Sequence, residues 1–256
     1  MCTLVILRRP EHRWPVLIGA NRDEMIGRAS KPPGRHWPDR PELVAGLDLL
    51  AGGSWLGIND WGVAAAVLNR HGSLGPIPDR RSRGELVLEA LDHATASAAA
   101  EALSHLNPEA YRTFNLIVAD ELDAFWLRHA GGARIELKAL KDGLSMIAAG
   151  DIDDLGTRRL ELALPAFRAW PIPDPDRHDW AAWETLLGST RAPPNEPASA
   201  AMRFRTDGYG TVSSGLIALP AREEVDRRPV FRFAEWLPEA TPWRDVMTGS
   251  RQGSQT

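Results

Sequence analysis

The residue with the clearest chemical potential in this chain stands at its second position. Cys2 is the only cysteine in the sequence, and it directly follows Met1. Removal of Met1 would leave one residue that carries both a thiol and a free α-amine. Because an α-amine titrates near ~8 and a thiol near ~8.5, this amine can accept the thiol proton close to neutral pH. Cys2 is therefore a candidate nucleophile with its own base, and the alternative is a small buried hydrophobic residue.

A second group of candidate residues follows the first predicted hairpin. Residues 3–8 and 15–20 are rich in aliphatic side chains and are joined by a short polar connection, which predicts two antiparallel strands. Their pairing would bring Asn21, Arg22 and Asp23 close to Cys2. A carboxylate raises the pKa of a neighbouring amine, so Asp23 requires a balancing cation, for which Arg22 is a candidate. The alternative for Asp23 is a turn residue that caps its own backbone.

Asn69 is the third candidate, at the end of a strand predicted over residues 63–68. One preorganised amide donor in such a position can stabilise a tetrahedral oxyanion by about 3 kcal/mol. The alternative is an asparagine that serves the turn before Arg70-His71-Gly72. The residue types at these positions thus suggest attack on a carbonyl group.

Composition excludes several other classes of function. The net charge of −4 and the pI near 6.0 argue against a nucleic-acid or membrane-surface partner. One cysteine excludes an internal disulfide, and the seven histidines show no i, i+4 spacing, which argues against zinc. The apolar run 4–7 is too short for a membrane span or a signal-peptide core. We therefore expect a cytoplasmic protein without membrane insertion.

The remaining periodicity predicts an α+β protein. Residues 43–48, 54–58 and 63–68 are predicted to be strands that join the first hairpin in one sheet, and residues 28–41 a proline-rich loop. Ser82 and Glu85 are spaced as a capping box for a helix, and a second helix is expected over 97–106.

The second half of the chain repeats this order. Four strands are expected over 114–119, 124–128, 134–140 and 144–148, then helices over 157–167 and 180–187, and strands over 209–219 and 230–233. Two mainly antiparallel sheets, each with its own helices, predict a four-layer αββα sandwich. We expect one domain over 1–246 and a disordered tail over 247–256.

Five short motifs together identify a resemblance. The sequence resembles the NRDE family, the transport and Golgi organisation protein 2 homologues, in Met1-Cys2-Thr3, Asn21-Arg22-Asp23-Glu24, Gly52-Gly53-Ser54-Trp55-Leu56-Gly57, Ser82-Arg83-Gly84-Glu85-Leu86 and Tyr209-Gly210-Thr211-Val212-Ser213-Ser214. That family is similar to N-terminal nucleophile hydrolases, especially the bile-salt and penicillin V acylases. The motifs are spread over most of the chain, so the resemblance implies the same αββα fold for the whole molecule.

The resemblance also implies roles for individual residues. Cys2 would be the nucleophile, Asp23 would orient its α-amine, and Asn69 would stabilise the oxyanion. Asn21, Arg22 and Thr211 would lie at the substrate.

The chain departs from the pattern at two cationic positions. Gly19-Ala20-Asn21 stands where the acylases carry an arginine, and Val212 stands where many NRDE relatives have one. Arg203 and Arg205 are the candidate replacements.

Two functions follow from these expectations. The first is hydrolysis of the carbon–nitrogen bond of a small acylated molecule, with no cofactor required. The second is a non-catalytic protein for binding and trafficking of haem or of a lipid or acyl-CoA, which the resemblance implies and for which some of the ten tryptophans could line a groove. Because the chain has no Cys-x-x-Cys-His motif, haem would be a transported ligand that is held non-covalently.

Overall fold

The strands form two antiparallel sheets that pack face to face. In the computed structural model, which describes residues 2–75, 77–224, 226–237 and 239–248, one sheet has six strands and the other has seven. In chain order the strands are β1 (Thr3–Arg8), β2 (Val16–Met25), β3 (Ser30–Gly34), β4 (Leu43–Asp48), β5 (Leu56–Asn59), β6 (Ala64–Asn69), β7 (Phe114–Ala119), β8 (Ala124–His129), β9 (Glu136–Ala139), β10 (Gly143–Ile147), β11 (Tyr209–Leu219), β12 (Val230–Glu235) and β13 (Arg244–Asp245).

The strand order defines the two sheets. The first sheet runs β10-β1-β2-β11-β12-β13, and the second runs β3-β4-β5-β6-β7-β8-β9. The helices are α1 (Gly84–Leu91), α2 (Ala96–Ser104), α3 (Arg158–Ala169) and α4 (Ala181–Leu187), and short 3-10 turns lie at Pro108–Ala110, Pro175–Arg177 and Ala198–Ala200. Among the described residues, no helix has the length and apolar character that crossing a membrane requires.

Three hydrophobic clusters hold four layers together. One cluster fills the space between the sheets and includes Leu4, Ile18, Leu68 and Phe231. A second joins α1 and α2 to the second sheet, and a third joins α3 and α4 to the first sheet. The predicted αββα sandwich is therefore confirmed.

Side-chain alternation along β1 assigns the two faces of the first sheet. Leu4 and Ile6 belong to the cluster between the sheets, whereas Val5 and Leu7 pack toward α3 and α4. Because successive side chains of a strand point to opposite faces, these memberships show which face each neighbouring residue presents. We call these the inner and the outer face of the first sheet.

The prediction that the first hairpin shares a sheet with strands 43–68 is wrong. Thr3 to Leu7 are all buried, and β1 is an interior strand that pairs with β2 on one side and β10 on the other. The second of these neighbours, β10, comes from a distant part of the chain. Local sequence does not reveal that partner.

Two local predictions also need correction. The loop expected over 28–41 contains the edge strand β3, which tolerates Pro32 and Pro33 because an edge strand need not donate every backbone hydrogen bond. The capping box is absent, because the Glu85 carboxylate pairs with Arg81 instead.

Three further points concern β2, β13 and the C-terminal tail. β2 continues to Met25, five residues beyond its predicted end, and β13 was not predicted. Residues 249–256, most of the predicted tail, lie outside the described part of the chain, and the domain boundary stays a prediction.

Candidate active site

Cys2 lies immediately before β1, at the end of the first sheet. It is half-buried and packs against the core between the sheets, so its side chain is on the inner face. Its Sγ accepts a hydrogen bond from the backbone N–H of Asp23 at 3.4 Å and contacts the Asp23 carbonyl oxygen at 3.6 Å. Burial raises the pKa of the Cys2 thiol, and the Asp23 carboxylate raises it further. The structure thus brings two of the predicted catalytic residues together.

The Asp23 side chain lies on the outer face and is fully buried. Its Oδ2 receives a hydrogen bond from Arg159 Nη1 at 2.6 Å, and its Oδ1 receives one from Thr211 Oγ1 at 2.7 Å. Arg159 also donates to Thr3 Oγ1 at 2.9 Å. The carboxylate is therefore held by a cation that also binds the side chain of Thr3, the residue after Cys2.

Arg159 is the residue that sequence reasoning missed. It comes from α3, where it shares the buried helix face with Leu160, Ala163 and Phe167, and its side chain is only 5% exposed. An arginine within the apolar stripe of a helix indicates a buried acidic partner, because an unpaired charge there is costly. That signal was present in the sequence, but it did not identify Asp23 as the partner.

Arg22 faces the opposite way from Asp23. It lies on the inner face, where its guanidinium carbon is 4.2 Å from the centre of the Trp55 ring and its Nη1 donates to Ser30 Oγ at 3.1 Å. Burial lowers the pKa of Arg22, whereas Glu24 and Cys2 act in the opposite direction. Arg22 thus contributes positive charge on the thiol side of the sheet instead of balancing the Asp23 carboxylate.

Arg83, part of the motif before α1, adds a second, partly buried cation. Its Nη1 donates to the carbonyl oxygen and the hydroxyl of Ser73, at 2.7 and 2.8 Å. Burial and the neighbouring Arg112 lower the pKa of Arg83 to about 10, and Cys2 acts in the opposite direction. The thiol therefore has cations from two separate motifs around it.

Asn21 is committed to structural hydrogen bonds on the outer face. Its Nδ2 donates to the carbonyl oxygens of Leu187 and Met202, at 3.0 and 2.8 Å, and its Oδ1 accepts from Ser214. Both N–H groups of the Asn21 side-chain amide are therefore used within the protein. A direct substrate contact by Asn21 or Arg22 stays a prediction.

Thr211 owes its position to a β-bulge. Ser213 pairs with Arg22, and a regular ladder would then place Val212 opposite Asp23. The register shift puts Thr211 there instead, which allows its hydroxyl to reach the carboxylate. Bulges often re-aim a side chain beside a functional site.

Tyr209 completes the surroundings of Asp23 from the same strand. Its hydroxyl donates to the Asp23 carbonyl oxygen at 3.2 Å. Burial raises the pKa of Tyr209, and the nearby Cys2 and Asp23 raise it further. Tyr209 is thus a neutral donor that fixes the backbone against which the thiol lies.

Asn69 ends β6 in the second sheet. Ala66 and Leu68 face the core between the sheets, so strand alternation directs Asn69 toward the other face. Its side chain makes no hydrogen bond within the described part of the chain, and its oxyanion role stays a prediction. The backbone N–H of His71, two residues after Asn69, donates to Ala149 O. Extending the β1–β10 register by two residues places Ala149 opposite Cys2.

The site offers no evident place for a metal ion. Among the residues that the structure describes, no three His, Cys, Asp or Glu side chains are grouped as ligands. The ion pair that the structure shows for Asp23 is formed by Arg159, on α3. Binding of haem stays a prediction.

Solved structures show which fold this is. The chain is similar to a Caenorhabditis elegans N-acylethanolamine-hydrolyzing acid amidase ortholog, with a TM-score of 0.60, 14% identity, and 88% of this chain and 96% of that chain covered. It is also similar to two single-residue variants of the conjugated bile acid hydrolase from Clostridium perfringens. Their TM-scores are 0.54 and 0.52, the identities 9% and 10%, and the coverage is 92% or more of each chain. At these identities the likeness establishes the fold.

Sequence comparison shows the family. The chain is 36% identical over 120 residues to the mouse Transport and Golgi organization 2 homolog and 36% identical over 115 residues to the human protein. The matched segment spans 43% of this chain and only 40% of the length of each of these relatives. Residues 1–153, more than half of the chain, match the profile of the family described as Transport and Golgi organisation 2. The chain that carries this Cys2–Asp23–Arg159 arrangement therefore belongs to the Transport and Golgi organisation 2 family.

Proposed function

We propose that this protein is an amide hydrolase that uses Cys2, after removal of Met1, as an N-terminal nucleophile. The observation that carries the proposal is the placement of Asp23. Its backbone N–H donates to the Cys2 thiol, while its carboxylate is held by Thr211 and by Arg159, which also binds the Thr3 hydroxyl. The hydrolase fold of the structural neighbours supports the same reading.

The first half of the reaction forms an acyl-enzyme. The free α-amine of Cys2 accepts the thiol proton, and the sulfur attacks the amide carbonyl carbon to form a tetrahedral oxyanion. When this intermediate collapses, the carbon–nitrogen bond breaks and the α-ammonium protonates the leaving amine. The product is a thioester on Cys2, and the amine base is restored.

The second half releases the acid. The α-amine accepts a proton from water, and the resulting hydroxide attacks the thioester carbonyl. The carbon–sulfur bond then breaks, and the α-ammonium returns its proton to the thiolate. The reaction consumes one water and needs no cofactor.

Arg159 solves the electrostatic problem of this scheme. A lone carboxylate beside the α-amine would raise the amine pKa and keep the base protonated. With the guanidinium 2.6 Å from the Asp23 carboxylate, the pair carries no net charge, so Asp23 can orient the amine with a smaller effect on its pKa. Arg22 and Arg83 add positive charge on the thiol side, which favours the developing thiolate and oxyanion.

The decisive experiment combines mass and activity. Intact-mass spectrometry of the purified protein is expected to show loss of Met1, and fluorogenic acyl amides of increasing chain length are expected to be hydrolysed. Cys2→Ala should abolish turnover while the protein stays folded, and Cys2→Ser should retain little of it. A mature chain that keeps Met1, or activity that survives Cys2→Ala, would contradict the proposal.

A further inference from the structure

A cavity of about 430 Å³ lies beside the start of β11, next to the segment that follows α4. Arg203, Phe204, Arg205 and Trp236 line it, together with Thr211. Its volume is within the range typical of small-molecule sites, about 300–1,000 Å³. The hydrolysis scheme places its substrate at the Cys2 thiol on the inner face of the sheet, and Thr211, whose hydroxyl holds Asp23, also lines this cavity.

The charge of the cavity wall is strongly one-sided. Within the described ranges, no carboxylate lies within ion-pair distance of Arg203 or Arg205. Arg203 uses its Nε to donate to Gly188 O at 3.0 Å, whereas its terminal nitrogens donate to no described residue. Arg205 is exposed. Two guanidinium groups without acidic partners in the wall of one cavity favour the binding of an anion there.

The remaining wall is aromatic. The Arg203 guanidinium carbon is 4.7 Å from the centre of the Trp236 ring, and Phe204 also lines the cavity. Stacking on an aromatic face holds a guanidinium plane in place, which prepares it for a planar anionic group. The aromatic surfaces suit an apolar or aromatic body attached to that group.

Asn21 connects the two walls of the cavity through hydrogen bonds. Asn21 binds the Met202 carbonyl oxygen, next to Arg203, and accepts a hydrogen bond from Ser214. Ser214 in turn accepts one from Trp236 Nε1 at 2.6 Å. The cavity is therefore a built feature whose arginine and indole walls are both tied to one buried asparagine.

We propose that this cavity binds an organic anion. Its carboxylate or phosphate group contacts Arg203 and Arg205, and its apolar or aromatic body packs on Trp236 and Phe204. This site is separate from the thiol and does not depend on hydrolysis by Cys2.

The test is isothermal titration calorimetry of the full chain with three probes that share a naphthalene ring. We expect 2-naphthoate and 2-naphthyl phosphate to bind saturably and the neutral 2-naphthamide to bind at least about tenfold more weakly, as expected when a charge-assisted hydrogen bond is lost. The order of the two anions distinguishes a carboxylate site from a phosphate site.

Variants locate the binding. Arg205→Gln removes an exposed side chain that makes no hydrogen bond or ion pair with a described residue, so it tests the site without disturbing the fold, and Arg203→Gln removes the cation beside Trp236. Each should weaken anion binding by about tenfold, whereas Arg134→Gln, an exposed arginine in the other half of the sandwich, should have no effect. Cys2→Ala should also bind normally.

Four results would overturn the inference. The first three are the absence of saturable binding by either anion, equal binding of the amide, and unchanged affinity in both Arg203→Gln and Arg205→Gln. Loss of binding in Cys2→Ala would place the anion at the thiol and would overturn it as well, whatever the outcome for hydrolysis.

Discussion

At the scale of single residues, Asp23 connects the two faces of the first sheet. Its backbone contacts the thiol on the inner face, and its carboxylate contacts Arg159 on the outer face. The ion pair is almost completely removed from water, so each partner depends on the other for compensation of its charge. This dependence leads to a stability prediction.

We expect Arg159→Leu to lower the free energy of unfolding by about 3–5 kcal/mol, because it leaves the Asp23 carboxylate buried without its cation. Urea denaturation at neutral pH measures the change. The control is Arg158→Leu, the preceding residue of α3, whose side chain is 41% exposed and which should unfold close to the native protein. Equal effects of the two substitutions would show that the ion pair contributes little.

The thiol itself provides a second prediction. Because burial and then Asp23 raise the pKa of Cys2, less thiolate is present at neutral pH than in a free cysteine. In protein that retains Met1, alkylation by iodoacetamide should therefore be slow at neutral pH and should accelerate only above the ordinary thiol pKa of about 8.5. The single cysteine makes the product unambiguous.

Asp23→Asn is the partner variant for that rate profile. Removing the carboxylate charge should shift the inflection to lower pH, since this charge opposes thiolate formation. An inflection at or below that of free cysteine in the unsubstituted protein would contradict the account. So would a profile that Asp23→Asn leaves unchanged.

At the scale of elements, a glycine contact positions α1 against the turn before β5. A Cβ on Gly53 would lie 2.5 Å from the backbone carbon of Gly84, at the first residue of the helix. Ser54 N also donates to Gly84 O at 3.0 Å across the same contact. The Gly52-Gly53 and Arg83-Gly84 motifs are therefore two sides of one close backbone approach.

Gly53→Ala should consequently destabilise the protein by about 1–3 kcal/mol, the usual cost of forcing an extra carbon into a packed site. Thermal unfolding followed by circular dichroism measures this. Gly27→Ala is the matched control, because nothing lies within 4 Å of a Cβ at that position. If both substitutions have the same effect, the close approach of Gly53 to Gly84 is not what requires glycine.

Element periodicity also shows how far sequence reasoning reaches. The helix predicted over residues 157–167 corresponds to α3 (Arg158–Ala169), and β7 and β11 were predicted to the residue. Arg159 was missed because a helix pattern reports which face is buried and says nothing about the residue across from it. The predicted capping box is absent for a related reason, because the Glu85 carboxylate pairs with Arg81.

At the scale of the molecule, Asn115 joins the two sheets at the end where the thiol lies. It is in β7 of the second sheet, and its Nδ2 donates to Ala148 O and Gly150 O, which follow β10 of the first sheet. Its Oδ1 accepts from Arg70 and Trp126, at 2.7 and 3.1 Å. The side chain is fully buried.

We expect Asn115→Ala to lower the free energy of unfolding by about 3 kcal/mol, because it leaves several buried donors and acceptors without a partner. Urea denaturation tests this, with Asn69→Ala as the control of the same residue type. Asn69 makes no described side-chain hydrogen bond, so its substitution should change stability by less than about 0.5 kcal/mol. A reversed order would exclude Asn115 as the link between the sheets.

The sequence by itself determined the class of fold and the pairing of Cys2 with Asp23. Both follow from short-range information: the hydrophobic period sets the elements, and the first hairpin returns residue 23 to residue 2. The motifs also identified the family.

Only the tertiary structure decided which strands share a sheet, that Arg159 neutralises Asp23, and that Asn21 supports the walls of the basic cavity. These contacts join residues more than a hundred positions apart. Side chains over such separations are brought together by packing of the whole sandwich, and no local pattern encodes which of many arginines will meet a given carboxylate.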